Sequence, residues 1–225
     1  MFDLDPAALA ARARTSGGVL RVPGLAGSLL RGTLGFSLVS LGGFGPWVLT
    51  SRWFHQHGGE GAMYAACAVV FIALSGWLLH PLIIGPGNLR RFYQVFGLGF
   101  GLYAIGWTGG WMAWGGTTGS LAGLALGTAA MGWVFARAFR CPGRWPGLAL
   151  ILFAGNTLGY FAGDWAHVAV LHAAGGLIPL GYIMAAKAVW GLAYGLGFGA
   201  GIGLVIYQCQ TTARQLLRAA PPGAR

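Results

Sequence analysis

Carboxylates are nearly absent from this chain: Asp3, Asp5, Glu60 and Asp164 are all it has. Paired-carboxylate acid–base chemistry, carboxylate-rich metal sites and proton pumping through a mid-membrane acid therefore lack their parts. Lysine is scarcer still, with Lys187 the single example. Three cysteines, Cys67, Cys141 and Cys209, make no disulfide framework and are expected to be unpaired. Reaction signatures are missing too: there is no Gly-x-Ser-x-Gly, His-Glu-x-x-His or Gly-x-x-x-x-Gly-Lys-Ser. His55 and His57 cannot put both rings on one helical face, and no histidine pair has the i, i+4 spacing of a helical metal motif. The reading is of a protein that is not an enzyme, with no metal site and no cofactor required.

What is present is apolar. Only 8% of the residues are charged and 56% are hydrophobic, against roughly 25% charged in a soluble domain. Six stretches, 32–50, 61–84, 92–114, 117–136, 145–163 and 177–207, suit the roughly 20 residues needed to cross a hydrocarbon core about 30 Å thick. The sequence predicts an all-α polytopic membrane protein of six transmembrane helices arranged as three hairpins. Residues 1–30 form an N-terminal segment with a short amphipathic helix around 6–14 and Asp5 as its cap, 31–208 the bundle, and 209–225 a tail.

The arginines orient this bundle. Arg12, Arg14, Arg21 and Arg31 precede the first crossing, Arg90 and Arg91 follow the second, Arg137, Arg140 and Arg144 follow the fourth, and Arg214, Arg218 and Arg225 follow the sixth. Arg52 alone falls on the other side. The positive-inside rule makes the arginine side, and with it both termini, cytoplasmic. The net charge of +10 is then a face for anionic membrane lipids rather than for nucleic acid. The first thirty residues lack the apolar core of a cleavable signal peptide. Arg, Ala and Gly richness with one lysine suggests a bacterial gene and the inner membrane.

Within the hairpins, Arg31 to Trp53 spans 22 positions, Arg90 to Trp111 spans 21 and Arg144 to Trp165 spans 21. Trp77, Trp133 and Trp190 mark the returning crossings, so an internal threefold repeat is one reading of the pattern, with interfacial tryptophan enrichment the plainer one. In outline alone the layout resembles six-helix urea and amide channels, and no residue is carried over from them. Glycine recurs every four residues at Gly119, Gly123 and Gly127 and again at Gly191, Gly195, Gly199 and Gly203, giving two stripes for close helix packing within the chain or against another copy. Gly197, off the stripe, is expected to tolerate bulk better than Gly199. Gly97 and Gly101 offer a similar edge on the third crossing, and Pro46 a kink or unwound turn in the first.

Three polar residues carry the functional reading. An ammonium near mid-membrane costs roughly 2.5–3.5 kcal/mol on insertion scales, so Lys187 needs a partner or a wet cavity. Asp164, where the fifth crossing meets the outer loop, is the expected partner. Asn156 cannot satisfy its amide within its own helix, and with the other two it outlines a candidate solute path. The expected function is a channel or transporter for a small solute. The alternative is a non-catalytic subunit of a membrane complex that meets lipids, a pigment, further copies or other proteins. A redox subunit using His80 is a third option.

Overall fold

A computed structural model describes residues 2–15 and 22–219, so Arg21 and Arg225 lie outside the described residues. Among the described residues the chain is helical, with no strand: α1 (Pro6–Thr15), α2 (Leu25–Gly43), α3 (Gly45–His57), α4 (Gly59–Leu79), α5 (Leu89–Trp114), α6 (Gly116–Ala138), α7 (Trp145–Ala173), α8 (Leu180–Cys209) and α9 (Thr211–Ala219). Five spans are long and apolar enough to cross a membrane: Leu25–His57, Gly59–Leu82, Gly116–Ala138, Pro142–Ala173 and Leu180–Cys209. The protein is an all-α polytopic membrane protein. α5 matches the others in length but not in hydropathy, because Gly, Tyr and Trp stand where aliphatic residues would. It packs along both α4 and α6 as the sixth member of the bundle.

The six long segments close into a ring. Each of α4, α5, α6, α7 and α8 packs on the next, and α8 returns to α2. Aromatic rings from four helices fill its centre: Phe36 of α2, Phe71 of α4, Phe96 and Phe100 of α5, and Phe198 of α8 are all buried. Phe36 lies 5.6 Å from Phe71 and 5.4 Å from Phe198 between ring centroids, and Phe71 lies 5.2 Å from Phe100. Large apolar side chains such as Leu34, Leu38, Val69, Trp77, Ile105, Leu126, Leu150 and Leu158 point outward and are exposed, as a hydrocarbon environment requires.

The glycine stripes lie inside the chain. A Cβ added to Gly119, Gly123 or Gly127 would come within 2.7 Å of a carbonyl oxygen of α5, at Gly110, Trp107 and Tyr103 respectively. On α8, a Cβ at Gly195 would lie 2.5 Å from Ser37 Cα, Gly199 faces the Gly32 carbonyl and Gly203 that of Ser28, all on α2, while Gly191 faces Phe44. The expectation for Gly197 does not hold. It forms a second stripe with Gly201, against α7, and a Cβ there would sit 2.5 Å from the Gly155 carbonyl. α8 is wedged between two helices and uses glycine on both faces. Gly97 and Gly101 are not a packing edge, since the nearest atom to a Cβ at Gly97 is 3.6 Å away and at Gly101 nothing lies within 4 Å.

Several boundaries differ from the sequence reading. The first crossing breaks at Phe44, where Gly42, Gly43 and Gly45 weaken the helix and Pro46 restarts it within the first turn of α3. α7 continues ten residues beyond 163, because no breaker follows until Gly175 and Gly176, both at positive φ. Asp164, His167 and His172 are therefore helical rather than in a loop. His55 and His57 also sit on a helix, α3, with His55 3.6 Å from Glu60 and His57 stacked 4.8 Å from Trp53.

The arginine end is shut by protein. α1 is capped by Asp5, whose Oδ1 accepts the Ala8 N–H at 2.9 Å. It does not offer its apolar face to lipid: Leu9 is fully buried, and α1 packs on α9, where Arg14 donates to the Leu216 carbonyl. Arg91 and Arg12 pair with Asp3 at 2.8 and 2.7 Å, and the hydrogen bond from Arg91 is the largest influence holding that carboxyl below its ordinary range. Buried Gln210 accepts the Ile84 N–H and donates to the carbonyls of Leu82 and Ile206. Arg214, expected among the lipid-facing arginines, is instead buried, donating to Pro23 and Tyr207 carbonyls with its guanidinium 3.8 Å over the Tyr207 ring.

Candidate solute cavity

The break at Phe44 and the aromatic periodicities of α5 and α8 meet at the end of the ring away from the arginines. On α5, Phe96, Phe100, Tyr103 and Trp107 follow one helical face, as do Trp190, Tyr194 and Phe198 on α8. Where the Phe residues end, the rings separate and leave a cavity in two adjoining parts that share walls. The outer part, about 230 Å³, is walled by Phe44, Trp47, Tyr64, Trp107, Tyr160 and Trp190, with Asp164, His167 and Trp111 around it. The inner part, about 60 Å³, shares most of these walls and descends to Phe71, Phe100, Tyr103 and Tyr194. Cys67 lines both.

Tyr103 and Tyr194 close the bottom, their hydroxyls 3.1 Å apart. One helical turn below Tyr160 lies Asn156, fully buried beside the Tyr103 hydroxyl, with no hydrogen bond of good geometry to either amide atom. A buried polar group left unpaired costs about 1–3 kcal/mol. Trp107 Nε1 and His167 Nδ1, both on cavity-lining residues, are likewise buried without partners. Tyr160 is held by Ser120, 3.0 Å from its hydroxyl. The cavity is thus an aromatic box with a few unsatisfied polar atoms, the composition expected of a small-molecule site.

Lys187 and Asp164 are not brought together. The Lys187 ammonium donates to the Trp47 carbonyl at 2.9 Å, lies 3.4 Å from Ser51 Oγ and sits 4.7 Å over the Trp47 ring. It lines another crevice, where the α2–α3 break meets α8, with Leu41, Val48 and Gly191. Among the described residues Asp164 makes no ion pair, and it stands exposed at the cavity mouth. Of the three sequence candidates, Asp164 lies on the cavity, Asn156 just beneath it, and Lys187 outside it.

His80 borders a cleft of about 970 Å³ between α2 and the turn after α4. Its neighbours Leu30, Leu34 and Trp77 are exposed, so the cleft faces hydrocarbon rather than the bundle interior. Among the described residues no three His, Cys, Asp or Glu side chains gather as a metal site. The three cysteines are free. Cys141, at the arginine end, has its thiol pulled below the ordinary value first by a hydrogen bond with Cys209 and further by Arg144, against the opposing effect of burial.

Sequence reasoning passed over Tyr64, Trp107, Tyr160 and Tyr194, and took Trp190 only as a marker of a returning crossing. The i, i+4 aromatic spacing on α5 and α8 was the available signal, but it reads equally well as core. The threefold pattern does not extend to environments: Trp77 and Trp133 are exposed to the outside, whereas Trp190 lines the cavity. Comparison with family models, curated proteins and solved structures gives no match.

Proposed function

We propose that the protein is a carrier for a small solute that enters the aromatic cavity from the end opposite the arginines. The observation that carries this reading is the cavity itself, a polar-flecked aromatic box that stops halfway at the Tyr103–Tyr194 pair. A channel needs a continuous path, and below the tyrosines the ring is filled by phenylalanines. A carrier needs a site reachable from one side at a time. Asn156 supplies a buried amide without a well-formed hydrogen bond directly beyond the tyrosines, where a solute moving inward would next meet the protein. Glycine contacts on both faces of α8 give helices whose backbones touch and can slide with little side-chain interlocking. By the positive-inside rule the arginine end faces the cytoplasm of a bacterial cell, with the cavity open to the outside.

Binding comes before transport in the test. Small polar and aromatic solutes are screened for raising the thermal midpoint of the purified protein, since a ligand of the folded state at 100 Kd adds about 2.7 kcal/mol. Any stabilising solute should lose its effect with Trp190→Leu and should exchange across vesicles containing the wild-type protein. A solute that binds but does not exchange across the vesicle wall contradicts transport and favours a binding subunit.

A further inference from the structure

Resting on the reading of this cavity as the solute site, we infer that its solute is a small organic cation, an alkylated ammonium that also carries a hydrogen-bond acceptor. The walls are aromatic rings from five helices and from Phe44, many of them at steep angles to one another. Phe44 and Trp190 are 4.9 Å apart at 81°, Tyr64 and Trp107 5.4 Å at 88°, and Tyr160 and Trp190 5.3 Å at 83°. Rings set perpendicular to one another cannot all stand edge-on to one enclosed space, and an aromatic face attracts a cation through its quadrupole, most strongly where water is excluded. A neutral apolar solute would be served as well by Leu and Val, which the cavity walls do not contain.

Charge placement agrees. Asp164 is the only carboxylate on the cavity and has no counter-ion among the described residues. Among the described residues no Arg or Lys lines it. Lys187, the single lysine of the sequence, lies 4.7 Å over the ring of the wall residue Trp47, but it is tethered to the Trp47 carbonyl and lines a different crevice. His167 is the one lining group that would add positive charge on protonation. An anion would meet an unbalanced carboxylate at the entrance and ring faces inside, both unfavourable. The unpaired indole N–H of Trp107 is a donor without an acceptor, and it assigns the acceptor to the solute: a hydroxyl, carbonyl or carboxylate oxygen near the cationic head.

The experiment titrates the full-length protein in detergent with choline, glycine betaine and tetramethylammonium, and in parallel with 3,3-dimethylbutan-1-ol, the uncharged carbon isostere of choline, following tryptophan fluorescence. Choline should bind about tenfold more tightly than the isostere, and tetramethylammonium, which lacks the acceptor, more weakly than choline. Tyr160→Phe keeps the ring face and should keep that preference, while Tyr160→Leu should erase it. Asp164→Asn should weaken the cations roughly threefold and leave the alcohol unchanged. Equal binding of choline and its isostere overturns the cation assignment while leaving the cavity a solute site. Absence of binding by all four probes overturns it too, and protection of Cys67 from thiol reagents by other solutes then shows whether the cavity reading survives.

Discussion

The Lys187 ammonium reaches the Trp47 carbonyl, the Ser51 hydroxyl and the face of the Trp47 ring, so the charge is accommodated without a counter-ion. Lys187→Met should cost about 1–2 kcal/mol of stability through the lost hydrogen bond and cation–π contact. Asp164→Asn should change stability by less than about 0.5 kcal/mol, and the double mutant should be additive to within about the same margin. A thermal double-mutant cycle checks this, and a coupling well above that margin would mean that the two charges do meet. The cost of Lys187 was legible in the sequence, because an isolated ammonium in an apolar run stands out. Its partner was not, because the break at Phe44 turns Trp47 toward α8 and no periodicity reports that rotation. Asn156 was legible in the same way, as an amide without a local partner.

Among the elements, α8 is the helix on which the bundle depends, held by α2 on one face and α7 on the other through glycine. Gly199→Leu and Gly197→Leu should each destabilise by about 1–3 kcal/mol or more, because both add bulk against a neighbouring backbone. Gly101→Leu, with open space around its Cβ, should be close to neutral. Thermal midpoints in detergent decide it, and a tolerant Gly197 would remove α7 from the packed face. The every-four stripe was readable because four residues bring side chains nearly to one face. The second face was hidden, since Gly197 and Gly201 make only half such a run and their partners Gly155 and Gly159 lie on another helix. Helix existence was readable from apolar length, but the burial of α1 was not, being decided by tertiary contacts, and the end of α7 is set by the first breakers, Gly175 and Gly176, rather than by the end of the apolar run.

At the scale of the whole molecule, a ring of six helical segments is sealed at the arginine end by α1, α9 and Gln210, filled midway by phenylalanines, and open at the other end into an aromatic cavity. The all-α polytopic architecture was legible from composition and run length. The cavity was not, because its lining is distributed over α3, α4, α5, α7 and α8 together with Phe44, and only the assembled ring brings these rings together. The most direct measurement uses three single-cysteine proteins: Cys141→Ala with Cys209→Ala, which retains Cys67, and the same pair with Cys67→Ala added, carrying either Thr118→Cys or Gly143→Cys. A small membrane-impermeant thiol reagent is applied to the outside of intact cells. Cys67 and the residue at 118 should be modified and that at 143 spared. Modification at 143 with none at Cys67 would contradict both the orientation and a cavity open to the outside.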